Sequence, residues 1–189
     1  MARLALESIK SFSYDRPEIQ KGYAGQTLHV DIANQTFDTR PVDEQMKKIF
    51  IGGKGFDLWL LWQAVSPQTQ WNDPENAICI ASGPLGGTPV YPGSGKSIVT
   101  TLSPTTGSPM DSNVGGYFGP YLKFAGFDAL EIQGQTDRNL VVFIDGISQR
   151  LELLQFVDGP QDAYELTTAL TDHFGQGQPR SISVVSAGP

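Results

Sequence analysis

The sequence is poor in the side chains that hold metal centres. It contains one cysteine, Cys79, and two histidines, His29 and His173, in 189 residues. One thiol cannot form an internal disulfide, and an iron–sulfur cluster takes about four thiolates. A structural zinc site takes about four cysteine or histidine ligands, more than this chain contains. The composition therefore argues against both kinds of centre within this chain. Because Cys79 lies in the apolar run NAICIAS, we expect it to be a buried core thiol.

Positive charge and long apolar runs are also scarce. The chain has 13 Lys and Arg against 20 Asp and Glu, a net charge of -7 at pH 7. Nucleic acid or an anionic membrane as the main partner would require clustered Lys and Arg, so we expect neither. No apolar run reaches membrane-spanning length, and residues 1–20 lack the apolar core and cleavage site of a signal peptide. We expect a cytoplasmic protein.

Glycine and proline, by contrast, are abundant, with 21 and 13 residues. Such frequent turn residues favour short strands over a helical bundle. Apolar alternation predicts a hairpin that turns at 33–36, a strand at 97–102, three successive strands in a meander between 128 and 157, and a final strand at 181–189. The apolar run 77–82 predicts a buried strand. We predict an α+β fold with mostly antiparallel or mixed sheets.

Helical patterns are fewer and mostly short. They predict helices at 44–50, 56–65, 120–127 and 162–174. Asp43 is expected to cap the first helix, and the second is expected to present a packing face made of Phe56, Trp59, Leu60 and Trp62. His29 falls on the polar side of its strand and is predicted to be exposed. We interpret residues 1–22 as an N-terminal arm and residues 23–189 as one domain.

The segment from Gly83 to Gly119 is dense in glycine, proline, serine and threonine and carries few charges. Within it, PGSGKS at 92–97 ends like a nucleotide-binding P-loop, whose pattern is G-x-x-x-x-G-K-[ST]. Val90 stands where the first glycine is required, and the residues after Lys96 have a strand pattern where a P-loop needs a helix. The sequence therefore argues against ATP binding. It also lacks the G-x-S-x-G motif of a serine hydrolase.

Two loops of this segment, PGSGKS and DSNVGGYFG, carry the candidate binding residues. Lys96 supplies a cation beside backbone N–H groups that small residues such as Gly95 leave accessible. Asn113 supplies an amide that both donates and accepts, and Gly115 and Gly116 permit close approach of a ligand to the backbone. The combination suits a phosphate and a polar heterocycle. The alternative is two tight turns with Lys96 in solvent.

Five stretches resemble, in order and spacing, the N-terminal domain of the aldehyde:ferredoxin oxidoreductase family: FIGGKGFDLWLLW, ENAICIASGPLGGTP, GSGKSIVTTLSPTTG, DSNVGGYFGPYLKFAGFDALEIQG and SAGP. The resemblance covers residues 22–189. It implies a base of two sheets on which a bis-pterin cofactor with tungsten or molybdenum lies. It also implies helical second and third domains, absent from this chain, that complete the pocket and carry the cysteines of a [4Fe-4S] cluster.

The resemblance also implies roles for the two loops. The family's pterin contacts map onto Lys96, Asn113 and Gly115, and Gly95 and Gly116 complete the set of candidate cofactor-binding residues. Asn113 is expected to help place the Mg²⁺ that joins the pterin phosphates. No residue of this chain is expected to act as a catalytic acid or base.

Two positions depart from the family pattern. The family usually has arginine where this chain has Lys96, and it often has serine where this chain has Val114. Lysine keeps the charge but loses the planar fork that binds a phosphate through two hydrogen bonds. Both departures indicate a divergent branch, whose substrate need not be an aldehyde.

The resemblance implies a parent enzyme that oxidises aldehydes to carboxylic acids and passes electrons to ferredoxin or another electron-transfer subunit. Alone, the chain is expected to be a domain or truncated product that lacks turnover, and a homo-oligomer is left open. Two alternatives stand beside this reading. One is a related reductase, similar to the benzoyl-CoA-reducing subunits of the same superfamily. The other is a non-catalytic scaffold domain that has lost the cofactor.

Overall fold

The computed structural model describes residues 4–187, which form two β-sheets, four α-helices and one short 3-10 helix. The strands are β1 (Ala5–Ser13), β2 (Gln26–Asp31), β3 (Thr36–Pro41), β4 (Ala77–Ala81), β5 (Ser97–Leu102), β6 (Pro109–Val114), β7 (Ala129–Gln133), β8 (Leu140–Asp145) and β9 (Arg150–Asp158). The helices are α1 (Glu44–Ile49), α2 (Lys54–Ala64), α3 (Phe118–Phe124) and α4 (Ala163–Gly175), and the 3-10 helix is Pro179–Ser181.

The strands form one six-stranded and one three-stranded sheet. The larger has the order β3-β2-β7-β4-β5-β6, in which β2 and β7 are parallel and all other neighbours are antiparallel. The smaller sheet is antiparallel, with the order β1-β9-β8. The predicted α+β class, with mixed and mostly antiparallel sheets, is confirmed.

The predicted turn between β2 and β3 is fixed by a side chain. Asp31 accepts hydrogen bonds from the backbone N–H of Asn34 at 2.9 Å and from its side-chain amide at 2.7 Å. Gln35 then adopts a left-handed conformation with φ of 55°, which reverses the chain. This local bonding sets the register in which Val30 pairs with Phe37.

The helix boundaries also follow from local signals. The Asp43 carboxylate accepts from the N–H groups of Gln45 at 2.6 Å and Met46 at 3.3 Å, so the predicted cap of α1 is confirmed. The chain then passes through Gly52 and Gly53, whose φ values of 144° and 54° most residues avoid. This break ends one helix and lets α2 begin in a new direction.

The core lies on both faces of the six-stranded sheet. On one face, Leu28 and Val30 pack in one cluster with Leu151 and Leu153 of the smaller sheet. On the opposite face, which we call the α2 face, Phe56 and other apolar residues of α2 pack on a buried row of strand residues that includes Cys79, Ala81 and Ala129. Cys79 is fully buried, as predicted.

The N-terminal segment contains a strand that the sequence does not predict. Residues 5–13, within the proposed N-terminal arm, form β1 and pair with β9. The strand escapes the sequence pattern because it lies at the edge of its sheet and most of its side chains are exposed or half-buried. The division of the chain into an arm and a domain stays a prediction.

The predicted meander of three strands is wrong. β8 and β9 form a hairpin of the smaller sheet, whereas β7 inserts between β2 and β4 in the larger one. Strand partners so distant in sequence leave no local signal. The predicted final strand is also wrong within the described range, because residues 182–187 form no regular element. Gly188 and Pro189, the end of that prediction, lie outside the described residues.

Two side-chain predictions also need correction. Phe56 and Leu60 are buried and Trp59 half-buried, as expected of a packing face, but Trp62 is 80% exposed. The side chain of His29 is only 12% exposed, because the polar side of β2 is the α2 face, where Glu131 of the neighbouring strand lies opposite. The predicted exposure of His29 is therefore wrong.

Candidate functional site

The hairpin of β5 and β6 brings the two candidate segments together. The prediction of DSNVGGYFG as a loop is wrong in part, because residues 111–114, including Asn113, belong to β6. In this hairpin Ser97 pairs with Val114 and Ile98 pairs with Asn113. Continuing the register by one residue places Lys96, just before β5, opposite Gly115. The loop backbones are close, because a Cβ atom added at Gly95 would lie 2.4 Å from the carbonyl oxygen of Gly116. The five candidate residues therefore form one cluster at the end of the hairpin.

Space is open above this cluster. Lys96, Asn113, Gly115 and Gly116 are exposed. Within the described range, a Cβ atom added at Gly115 or Gly116 would meet no other atom within 4 Å. A flat ligand therefore has room to lie against this backbone, which a side chain would otherwise cover.

The α2 face continues into the same cluster. Asp111 and Asn113 are two residues apart on β6, so their side chains project to one face of the sheet. Asp111 marks that face as the α2 face, because Lys54, the first residue of α2, places its Nζ atom 2.5 Å from Asp111 Oδ1. Asn113 thus lies on the side where α2 begins. The sequence interpretation missed Lys54 and Asp111, whose pairing depends on the packing of α2.

The loop before α2 is joined to the adjacent strand end. The N–H of Gly53 donates to the carbonyl of Ser82 at 3.2 Å, and a Cβ atom added at Gly53 would lie 3.8 Å from Ile98 Cγ1. Ile98 is the cross-strand partner of Asn113. The backbone of Gly52 and Gly53 therefore lies next to the hairpin that carries the candidate residues.

Asp57 is a buried carboxyl group in the first turn of α2. Its Oδ2 accepts a hydrogen bond from Thr100 Oγ1 at 3.1 Å, while its Oδ1 has no hydrogen-bond partner among residues 4–187. The side chain is 0% exposed, and burial raises the pKa of the carboxyl group to about 8. Burial therefore favours the uncharged form of Asp57. An acidic residue inside the apolar run FDLWLLWQ was the sequence signal that could have identified it.

Two buried ionisable side chains, Lys123 and Asp128, hold the loop that follows β4 and the loop that precedes β2. The Lys123 ammonium group, 2% exposed, donates to the carbonyl of Gly83, and burial lowers its pKa. Asp128 accepts from the N–H groups of Ala24 at 3.0 Å and Gly25 at 2.7 Å. Burial raises the pKa of Asp128. Both side chains thus bind main-chain atoms and hold two loops against α3 and β7.

Two buried hydroxyl groups lie next to the hairpin, on the face opposite α2. Ser82 and Ser97 are 3% and 2% exposed, and their Oγ atoms have no hydrogen-bond partner in the described part of the chain. A Cβ atom added at Gly119 would lie 3.1 Å from Ser97 Cβ and 3.3 Å from Ser82 Cβ. Gly119 therefore lets α3 approach both serines closely, beneath the loop that carries Lys96.

A separate polar cavity of about 170 Å³ lies on the α2 face near the other edge of the larger sheet. It is lined by His29, Arg40, Gln63, Ala64, Glu131 and Gln133. His29 Nδ1 lies 3.2 Å from Glu131 Oε1, but the geometry is not that of a hydrogen bond. Because β4 lies between the strand residues of this lining and the β5–β6 hairpin, this cavity is distinct from the candidate cluster.

Residues 4–187 bring together no group of three or more His, Cys, Asp or Glu side chains that could hold a metal ion. The proposed role of Asn113 beside Mg²⁺ stays a prediction. No helix in this range is long and apolar enough to cross a membrane.

Residues 27–189 match the family model described as the N-terminal domain of aldehyde ferredoxin oxidoreductase. A tungsten-containing aldehyde ferredoxin oxidoreductase from Pyrococcus abyssi (strain GE5 / Orsay) is 33% identical over 168 residues, which are 89% of this chain and 27% of the relative. The WOR-like subunit of an aliphatic sulfonate oxidoreductase from Pyrococcus furiosus (strain ATCC 43587 / DSM 3638 / JCM 8422 / Vc1) is 33% identical over 125 residues, 65% of this chain and 20% of the relative.

The fold also matches a solved structure of the active-site complex BamBC of benzoyl coenzyme A reductase with 1,5-dienoyl-CoA. The TM-score is 0.73 at 26% identity, over 84% of this chain and 24% of the other. The chain thus spans about a quarter of the length of the proteins it matches. Since the family model covers most of the sequence, the chain belongs to the aldehyde ferredoxin oxidoreductase family, whose N-terminal domain it contains in residues 27–189.

Proposed function

We propose that this domain binds a tungsten or molybdenum bis-pterin cofactor through the loops of the β5–β6 hairpin, as part of a longer oxidoreductase. The observation that carries the proposal is the cluster of Lys96, Asn113, Gly115, Gly116 and Gly95 on one hairpin, with open space above Gly115 and Gly116. The tungsten in the name of the Pyrococcus abyssi relative favours tungsten as the metal.

The donor set fits a group that carries phosphates and a polar heterocycle. Lys96 offers a positive charge to a phosphate, as a single point contact rather than the fork of an arginine. The Asn113 amide accepts from a ring N–H or coordinates Mg²⁺ through its oxygen, and it also donates. Gly115 and Gly116 expose backbone groups on which a planar ring can lie.

The chain's own part in the reaction is binding and orientation. When bound, the metal and pterin supply the two-electron redox chemistry. Lys96 neutralises negative charge, and the glycine backbone sets how close the ring lies to the sheet. We assign no catalytic acid or base to this chain. Substrate binding and a [4Fe-4S] cluster belong to other parts of the parent enzyme, so we propose that the chain alone lacks turnover.

For the parent enzyme we propose oxidation of an aldehyde to a carboxylic acid, with ferredoxin or another electron-transfer subunit as acceptor. The likeness to the benzoyl coenzyme A reductase complex favours, as second candidate, a reductase of the same superfamily. Both candidates use the same hairpin to hold the cofactor. A scaffold that has lost the cofactor is the third outcome that the experiment must separate.

The test is cofactor content of the full-length protein, expressed with tungstate and measured by metal analysis and pterin fluorescence. Lys96→Met is expected to lower tungsten and pterin content together, because it removes the cation from the cluster. Lys48→Met is the matched control, since Lys48 is an exposed lysine of α1. A folded wild-type protein with neither metal nor pterin would establish the scaffold and refute the proposal. Equal loading of both variants would refute the role of Lys96.

A further inference from the structure

Two side-chain contacts link four residues where α2 meets the β5–β6 hairpin. Lys54 pairs with Asp111, and Asp111 is the cross-strand partner of Thr100. Thr100 donates to Asp57 at 3.1 Å, and Asp57 lies three residues after Lys54, on the same side of α2. The two contacts therefore start from one helical turn and reach both strands of the hairpin. We call these four residues the α2 clamp.

The position of the clamp matters because β6 is an edge strand. It is the last strand of the larger sheet and pairs, among the described strands, with β5 alone. The hairpin nevertheless carries Asn113, with Lys96 just before it and Gly115 just after it. Edge strands open more readily than central ones, because fewer contacts hold them. The Lys54–Asp111 ion pair is a direct side-chain link between this strand and the helix.

We propose that the α2 clamp positions the β5–β6 hairpin for cofactor binding and that it closes with the uptake of one proton by Asp57. The link to cofactor binding rests on the proposed function; the clamp itself does not. Lys54, Asp57, Thr100 and Asp111 act here as positioning residues and touch no reacting atom.

The surroundings of Asp57 explain why its carboxyl group takes up a proton when the clamp closes. Its carboxyl group is 0% exposed and has one oxygen unpartnered among residues 4–187, so a negative charge there would be poorly solvated. Burial raises the pKa of this carboxyl group to about 8, although the Thr100 hydroxyl and the Ala81 backbone N–H partly offset the rise, and repulsion from Asp111 adds to it. The titratable or charged groups on the packed elements are Lys54 (α2), Cys79 (β4), Glu131 (β7), Asp111 (β6), and Glu44, Lys47 and Lys48 (α1).

The sign of the pH dependence follows from linkage. The clamp opens when the β5–β6 hairpin separates from α2, which breaks the contact with Thr100 and exposes Asp57 to water, where a carboxyl group has a pKa near 3.8. In the closed clamp the pKa is about 8. Between these values the closed clamp holds one more proton than the open clamp. The equilibrium constant for opening therefore rises about tenfold for each pH unit between these two values and becomes constant above pH 8. The hairpin is held most firmly below the window.

The test is amide hydrogen exchange of residues 109–114 in the full-length protein, expressed without tungstate and corrected for intrinsic exchange rates. In the wild type, the opening constant is expected to rise by up to about tenfold per pH unit between pH 6 and 8. Asp57→Asn keeps the shape but cannot ionise, so its opening constant is expected to be independent of pH. Equal slopes in wild type and variant would refute the proton linkage.

Asp111→Asn tests the clamp even if Asp57→Asn fails to fold. Loss of the ion pair is expected to raise the opening constant at pH 6 by roughly two- to fivefold. The rise of the opening constant with pH should also level off at a lower pH in Asp111→Asn than in the wild type, because Asp111 no longer repels a charge on Asp57. Lys48→Met, the control, is expected to match the wild type. Exchange in Asp111→Asn equal to that of the wild type would refute the clamp.

Cofactor retention tests the functional half separately. Protein loaded with tungsten and pterin is incubated at pH 6 and pH 8, and the retained metal is measured. The wild type is expected to lose more at pH 8, and Asp57→Asn is expected to lose equal amounts. If the opening constant from hydrogen exchange depends on pH but the amount of retained metal does not, the link between the clamp and cofactor binding is refuted. Absence of metal and pterin from every variant would refute the proposed function, while hydrogen exchange would still decide the clamp.

Discussion

Replacing Gly95 by alanine tests the contact between the two candidate loops. The added Cβ atom would lie 2.4 Å from the carbonyl oxygen of Gly116, whereas ordinary contact begins near 3.4 Å. One loop must therefore move by about 1 Å, and the atom in the way belongs to the backbone, which cannot rotate aside. Overpacking of this kind costs about 1–3 kcal/mol. Gly95 is not among the glycines with positive φ, so steric overlap alone is tested.

The assay is thermal unfolding of the 189-residue chain, followed by circular dichroism. For a chain of this length, 1 kcal/mol corresponds to a shift in Tm of about 2–4 °C, so Gly95→Ala is expected to lower Tm by about 2–12 °C. Gly115→Ala is the matched control, because its added Cβ atom meets nothing within 4 Å in the described range and its φ is also not positive. It is expected to leave Tm within about 2 °C of the wild type.

The same pair of variants separates folding from binding. In the full-length protein, Gly115→Ala is expected to lower cofactor content despite its normal stability, since the methyl group fills the space left for the ligand. A wild-type Tm for Gly95→Ala would refute the close approach of the two loops. A loss of Tm in Gly115→Ala as large as that in Gly95→Ala would refute the open space above the glycine pair.

Three further predictions concern the framework. Leu153 lies between the two sheets and is 0% exposed, so Leu153→Ala is expected to lower the free energy of unfolding by about 2–5 kcal/mol in urea titrations. Leu85 is 55% exposed, so the control Leu85→Ala should change this free energy by less than about 0.5 kcal/mol. Asp162→Ala removes the cap that accepts from Tyr164 N at 2.9 Å and Glu165 N at 3.1 Å, and should cost about 1 kcal/mol in the same assay. Tyr14 donates to the carbonyl of Ala125 at 2.7 Å, and burial raises its pKa from 10.0 to about 12. The stability that this tyrosine contributes is therefore present below pH 10 and is lost towards pH 12. When the free energy of unfolding is measured from pH 10 to pH 12, Tyr14→Phe should lose less of it than the wild type.

Local signals predict the parts of the fold that depend on neighbouring residues. The Asp43 cap and the glycine break before α2 act within a few residues, and so does the turn after Asp31. Each signal works through hydrogen bonds or dihedral preferences that the sequence displays directly. Elements built from such signals are found where the sequence predicts them.

Non-local pairing is what the sequence does not reveal. β7 has an apolar pattern that suits a strand of either sheet, and only its partners β2 and β4 decide which. The same limit applies to the site. Lys96 and Asn113 could be predicted as a pair from their glycine-rich surroundings and from the family resemblance, whereas β6, the strand that carries Asn113, was not predicted. The contacts of Asp57 with Thr100 and of Lys54 with Asp111 require α2 to be placed on the sheet.

The buried charges of Lys123 and Asp128 have a consequence for how this domain can change. Lys123 binds the carbonyl of Gly83, and Asp128 binds the amides of Ala24 and Gly25, so neither recognises a side chain. Every amino acid offers a carbonyl, and every one except proline offers an amide. Apart from Gly25, whose φ of 83° favours glycine, the two anchored loops can therefore vary in side chain without losing their attachment, which leaves their outward surfaces free to adapt to different neighbours.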